Sequence, residues 1–154
     1  MNLKPSLLII GLTASLLSVS ATANTAFEKP SDAVEYRQSA FSMIGTQIGD
    51  MGAMLKGKVP FDAKRFAMRA NNAAALSKMP WEAFIAGTAM GKAKTSALPE
   101  IWSDNEKFMK KATAFQMYAD ELATVAATGD KGKIKKAFGN WAKGCKDCHK
   151  SFKD

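Results

Sequence analysis

The chain of 154 residues has only two cysteines and one histidine. A structural Cys/His zinc site normally wants four ligands, so that class is excluded. A haem held between two histidines is excluded by the same count. Proline is scarce, at 5 residues, and no stretch alternates apolar with polar side chains as a half-buried strand does. A collagen, a low-complexity chain and a sheet protein therefore fall away. No apolar run reaches the ~20 residues of a spanning helix. A phosphate loop is also missing: Gly87-Thr88-Ala89-Met90-Gly91-Lys92 has one residue too few between its glycines, and Ala93 stands where Ser or Thr is needed. Acidic residues number 14 against 22 basic ones, a formal charge of +8. Such a surface attracts anions and acidic partners. What is present, 47% hydrophobic and 23% charged residues, suits one globular domain able to bury roughly two thirds of its unfolded surface without disulfide staples.

Residues 1–23 read as a secretory signal. Lys4 supplies the positive start, Leu7 to Val19 the apolar core, and Ala21-Thr22-Ala23 the small-residue cleavage site before Asn24. The alternative, a membrane anchor, asks for a longer apolar stretch. Removal of the leader leaves a domain of residues 24–154 with no membrane segment, placed in the periplasm, where free thiols do not persist. Nucleic acid is then not the expected partner of the positive charge.

The remainder carries four helical stretches. The first spans about Ser31 to Lys56, between Pro30 and Gly57. At about 100° per residue, Arg37, Phe41, Ile44, Ile48, Met51 and Leu55 fall within about 40° of one line, a narrow apolar stripe. The second runs from Asp62 to about Met79, before Pro80. Residues 80–102 read as a connection with at most a short helical turn. The third opens at Ser103-Asp104-Asn105-Glu106, a capping-box pattern, and stops at Gly129; the fourth runs from Asp130 to Phe152. These predict an all-α chain, an antiparallel up-down-up-down four-helix bundle. Gly45, Gly49 and Gly52 flank the first stripe and suit either internal packing or a contact with a second copy.

Cys145-Lys146-Asp147-Cys148-His149 is the c-type haem attachment sequence. Two thiols must each add to a vinyl group of one porphyrin, and a neighbouring imidazole must reach the iron. On a helix, Cys145, Cys148 and His149 project within an arc of about 100°, on the face that carries Ile134, Phe138, Trp141 and Phe152. A thiol–disulfide centre is the other reading of Cys-x-x-Cys, but such motifs usually open a helix after a strand. In an up-down-up-down bundle the first and last helices are antiparallel, so His149 lies level with Arg37, Phe41 and Ile44. Methionine, the usual alternative axial ligand, is badly placed: Met43 sits about 120° off the stripe, and Met51 lies roughly 15 Å along the helix from Phe41. The expected pocket opposite His149 is apolar, and the iron is left five-coordinate. Arg37 on an apolar stripe calls for a partner, either a haem propionate or an acidic neighbour reached by snorkelling. Phe41 reads as plain core or as a steric plug against small diatomic ligands.

The sequence resembles the cytochromes c′, the class II c-type cytochromes, over essentially all of residues 24–154. The resemblance is carried by Asp32-Ala33-Val34-Glu35-Tyr36-Arg37-Gln38-Ser39-Ala40, Lys56-Gly57, Pro80-Trp81, Pro99-Glu100-Ile101-Trp102-Ser103-Asp104, Ala137-Phe138-Gly139 and Cys145 to His149. It implies a four-helix homodimer packed through its first two helices, with one haem c per chain, high-spin and five-coordinate. It also implies binding of nitric oxide and carbon monoxide, with discrimination against oxygen; enzymatic turnover is not expected because Phe41 and Ile44 offer no acid–base group. By the same resemblance Cys145 and Cys148 are the thioether attachments and His149 the axial ligand. Arg37 and Gln38 contact the haem edge, Phe41 occludes the distal side, and Lys153 stands beside the histidine. The loop before Pro99 is longer than usual for the family, and Thr95-Ser96 stand where relatives can have an acidic haem neighbour. The competing reading is a low-spin electron-transfer member with methionine as sixth ligand. Lys131, Lys133, Lys135, Lys136, Lys143, Lys146 and Lys150 make the last helix basic, as a solvated face or a dock for an acidic redox partner.

Overall fold

The computed structural model describes residues 26–154, so the leader and its cleavage site lie outside the described residues. The chain folds as an antiparallel four-helix bundle. Its long helices are α1 (Pro30–Leu55), α2 (Ala63–Leu76), α4 (Asn105–Ala126) and α5 (Lys131–Phe152), and a single turn, α3 (Glu100–Ser103), precedes α4. A 3-10 turn at Pro80–Ala83 follows α2. Among the described residues no helix is long and apolar enough to cross a membrane.

Local signals set the ends. Pro30 begins α1, where its missing N–H costs nothing. The Asp62 carboxylate caps α2 by accepting from the Arg65 amide, and Asp130 caps α5 by accepting from the Gly132 and Lys133 amides. Gly57 and Gly129 turn the two short links with φ of +71° and +69°, a region open to glycine and strained for other residues. The expected capping box at residues 103–106 does not form. Ser103 is the last residue of α3, and the Asp104 side chain makes no cap hydrogen bond. Asp104 closes one helix and opens the next: its amide donates to Glu100 O at 2.9 Å, while its carboxylate pairs with Lys107.

Helix α1 packs on α2, α2 on α4, and α4 on α5. The core between them holds Met51, Met54, Phe66, Leu122, Ile134 and Trp141, each 2% exposed or less. Small residues on α2 (Ala70, Ala73 and Ala74) let its neighbours approach closely. Between α2 and α4 the connection packs on α1 through its 3-10 turn and on α4 and α5 through α3.

Candidate functional site

Between α1 and α5 lies a cavity of about 430 Å³, within the ordinary range for a cofactor pocket. Helix α5 lines it with Cys145, Cys148, His149 and Phe152, followed by Lys153; α1 faces them with Arg37, Gln38, Phe41, Ile44, Gly45 and Ile48. The antiparallel register placed Arg37, Phe41 and Ile44 opposite His149, and the structure brings all of them to the same cavity. Thr95, Ser96 and Ala97 form part of the wall, held there by the Asp154 amide donating to Ser96 O and the Leu98 amide donating to Phe152 O. The longer loop thus reaches the site. Neither Met43 nor Met51 lines the cavity: Met43 is 44% exposed and Met51 is buried in the core.

Periodicity missed a cluster contributed by distant elements. Phe41 meets Trp81 edge-on at 5.9 Å and Phe84 at 6.5 Å, and Phe84 meets Phe108 at 4.8 Å. Trp81, Phe84, Phe108 and Phe115 complete the apolar wall. Trp81 is anchored by its indole donating to Ser77 O, and Trp102 by its indole donating to Phe84 O. The one signal available was Pro80-Trp81, since an aromatic just after a helix stop is poised to fold back on the bundle.

Arg37 is 2% exposed, yet none of its described partners is a carboxylate. Its guanidinium donates to Ala83 O (3.1 Å), Thr88 Oγ1 (2.7 Å), Thr88 O (2.6 Å) and Thr95 Oγ1 (3.2 Å), and lies over the Phe84 ring at 4.5 Å. Snorkelling to an acidic neighbour is therefore not what it does. Burial pulls it down to about 10, still cationic at neutral pH. Beside it Gln38 donates to Lys94 O at 3.1 Å, so two consecutive α1 residues hold the loop.

Burial pushes the Cys145 thiol up to about 11 and raises Cys148 as well, the latter partly offset by Lys111. The Cys145 thiol donates to Trp141 O. Raised thiols are the reverse of what a thiol–disulfide centre needs. His149 is lowered, first by burial and then by the nearby Lys153 charge, so its imidazole is neutral at neutral pH and able to donate a lone pair to a metal. Two free thiols and an imidazole on one wall, an aromatic and aliphatic wall opposite, and a buried cation without a carboxylate fit an iron porphyrin: apolar faces, two reactive vinyl groups and anionic side chains. Among the described residues no cluster of His, Cys, Asp and Glu forms a different metal site.

A helical bundle with these groups on a single apolar cavity defines a class, the bundle proteins that carry haem covalently. Comparison with known proteins narrows it. The family model described as Cytochrome C′ matches residues 32–153. Cytochrome c′ of Rubrivivax gelatinosus is 44% identical over 128 residues, covering 83% of this chain and 98% of the relative; that of Halomonas halodenitrificans is 41% identical over 129 residues, covering 81% and 98%. Among solved structures, cytochrome c′ of Shewanella frigidimarina superposes with a TM-score of 0.80 at 55% identity, covering 83% of this chain and 98% of that one. A nitric oxide complex of a mutant cytochrome c′ from Alcaligenes xylosoxidans superposes at 0.77 with 40% identity, covering 83% and 98%. The chain belongs to the cytochrome c′ family, and its cofactor is covalently attached haem c.

Proposed function

We propose that the chain, freed of residues 1–23 and folded as a single domain of residues 24–154, works in the periplasm as a carrier, scavenger or sensor of nitric oxide, and binds carbon monoxide at the same site. Bound haem supplies an open iron position for a diatomic ligand and a one-electron redox couple. In this reading the Cys145 and Cys148 sulfurs would hold the porphyrin through thioether bonds and His149 would supply a nitrogen ligand to its iron. Phe41, on the cavity wall across from His149, would exclude water and larger ligands. Arg37 and Gln38 stand at the carboxylate-bearing edge with Thr95 and Ser96, and Lys153 shapes access on the histidine side. The observation that carries the reading is the wall opposite His149: Phe41, Ile44 and Ile48 offer neither a sixth ligand nor an acid–base group of the kind peroxidatic turnover wants. The nitric oxide complex of the Alcaligenes xylosoxidans relative supports the choice of ligand. A homodimer through α1 and α2, and docking of an acidic redox partner on the lysines of α5, complete the reading.

The deciding experiment is the absorption spectrum of the ligand-free ferrous protein, repeated with nitric oxide. A high-spin five-coordinate spectrum that changes on adding the gas is expected. A six-coordinate low-spin spectrum before any gas is added would instead identify an electron-transfer cytochrome with methionine bound.

A further inference from the structure

The helix pairs that pack closely are α1 with α2, α2 with α4 and α4 with α5, which leaves a looser seam between α1 and α5. The haem cavity takes up one part of that seam, from Arg37 to Ile48 on α1. A second cavity of about 420 Å³ continues it from Ile48 to Lys58, and among the described residues Ile48 alone lines both. Its floor is small and apolar: Gly49, Gly52 and Ala53 come from α1, Phe138 and Ala142 from α5. The seam closes at Gly52, where an added Cβ would stand 3.5 Å from Phe138 Cζ. A Cβ at Gly49 would meet no atom within 4 Å, so no packing contact asks for glycine there. Glycine inside a helix is less stable than alanine; at Gly49 the missing side chain leaves the groove open. The far end is basic. Lys56 and Lys58 line it, both exposed, and neither pairs with a carboxylate of a described residue. They are not needed to close α1, because Gly52 O, Ala53 O and Met54 O already accept from the Lys56, Lys58 and Gly57 amides. No acidic residue among those described lines the groove.

We propose that this groove is a second binding site, for a short straight-chain monocarboxylate. The carboxylate lies between the Lys56 and Lys58 ammonium groups, and the alkyl chain runs over Gly49, Gly52 and Ala142 towards Ile48. Each carboxylate oxygen then takes one charged donor, and an alkyl chain is what a floor without hydrogen-bonding side chains accepts. Size sets the chain length. Lys56 stands about 12 Å along α1 from Ile48, and at ~30 Å³ for each water-sized group the cavity holds about a dozen. A neutral chain leaves both ammonium groups unused, and a bare anion leaves the floor wet, so the site favours a molecule that carries both features. None of Cys145, Cys148 and His149 lines the groove, so the inference stands apart from the haem reading.

The test titrates the haem-loaded protein with octanoate, octan-1-ol and acetate in a calorimeter, below the concentration at which octanoate forms micelles. Wild type should take up one octanoate per chain, with octan-1-ol and acetate each weaker by about fivefold or more. The double change Lys56→Gln with Lys58→Gln should weaken octanoate by a similar factor and leave octan-1-ol unchanged. Gly49→Leu places a side chain on the floor and should abolish binding of both. Octanoate that binds these variants as tightly as wild type sits elsewhere, the haem cavity included, and the proposal is overturned. Acetate as tight as octanoate overturns it by making the groove a bare anion site, and octan-1-ol as tight as octanoate by making it an apolar cleft. Lack of any saturable octanoate binding to wild type overturns it as well. Both lysines are exposed, so their exchange keeps the test decisive should leucine disturb folding. The readout is heat of binding and not haem chemistry, so failure here leaves the haem reading standing.

Discussion

Phe41 is half-buried among aromatic neighbours and lines the cavity. Its ring is held by dispersion and edge-on contacts worth about 0.5–1.5 kcal/mol per pair, weak enough for a ligand to displace. Phe41→Ala should therefore speed carbon monoxide association by about tenfold or more, the factor that corresponds to removing ~1.4 kcal/mol of barrier. Flash photolysis measures it, and unchanged kinetics would show that the ring does not gate the site. Arg37 is the opposite kind of residue. Four neutral acceptors hold it, so its desolvation is only partly offset until an anion lies nearby. Its place on the stripe was readable from periodicity. Its grip on Thr88 was not, because that residue lies 51 positions away in a loop that no repeat or spacing locates.

Element ends show how far a local pattern can be trusted. Asp130 accepts from two amides at the start of α5, so Asp130→Ala should cost about 1 kcal/mol in chemical denaturation. Asp104→Ala should change stability by less than about 0.5 kcal/mol, since no amide depends on it. The two positions differ because Asp104 is shared by two helices, and its backbone angles (φ −123°, ψ 52°) serve the end of α3 rather than the start of α4. Between α1 and α2 the exposed Arg65 guanidinium, with Arg69, hydrogen-bonds Asp50 and holds its carboxyl below the ordinary carboxylate value of 3.8. A depressed carboxyl contributes stability above pH 3.8 and loses it as pH falls through the lower folded value. Wild type should therefore exceed Asp50→Asn in stability at neutral pH, and unfolding curves taken at decreasing pH should converge below about pH 3.8.

For the whole molecule, the outer surfaces of α1 and α2 carry Met43 and Met68, 44% and 50% exposed. Apolar side chains on the helix pair expected to meet a second copy lose less by being covered than by facing water. Sedimentation equilibrium should find a dimer, and the double change Met43→Glu with Met68→Glu should shift it to monomer while leaving the absorption spectrum intact. A wild-type monomer would remove the dimer from the reading. The cavity lies on the α5 side of α1, while α2 packs between α1 and α4.

By itself the sequence determined the helices, their buried faces and the grouping of Cys145, Cys148 and His149 on one of them. These depend on contacts three or four residues apart, which follow from the 3.6-residue turn and from the demand that two thiols and an imidazole share one face. Only the tertiary structure decided what lines the cavity from afar: Trp81, Phe84, Phe108 and Phe115, and the loop held by Arg37 and Gln38 at its Thr88, Lys94 and Thr95 positions. Those partners are chosen by which buried donors and aromatic rings are brought within a few ångströms once the helices have packed, a distance that no spacing along the chain encodes.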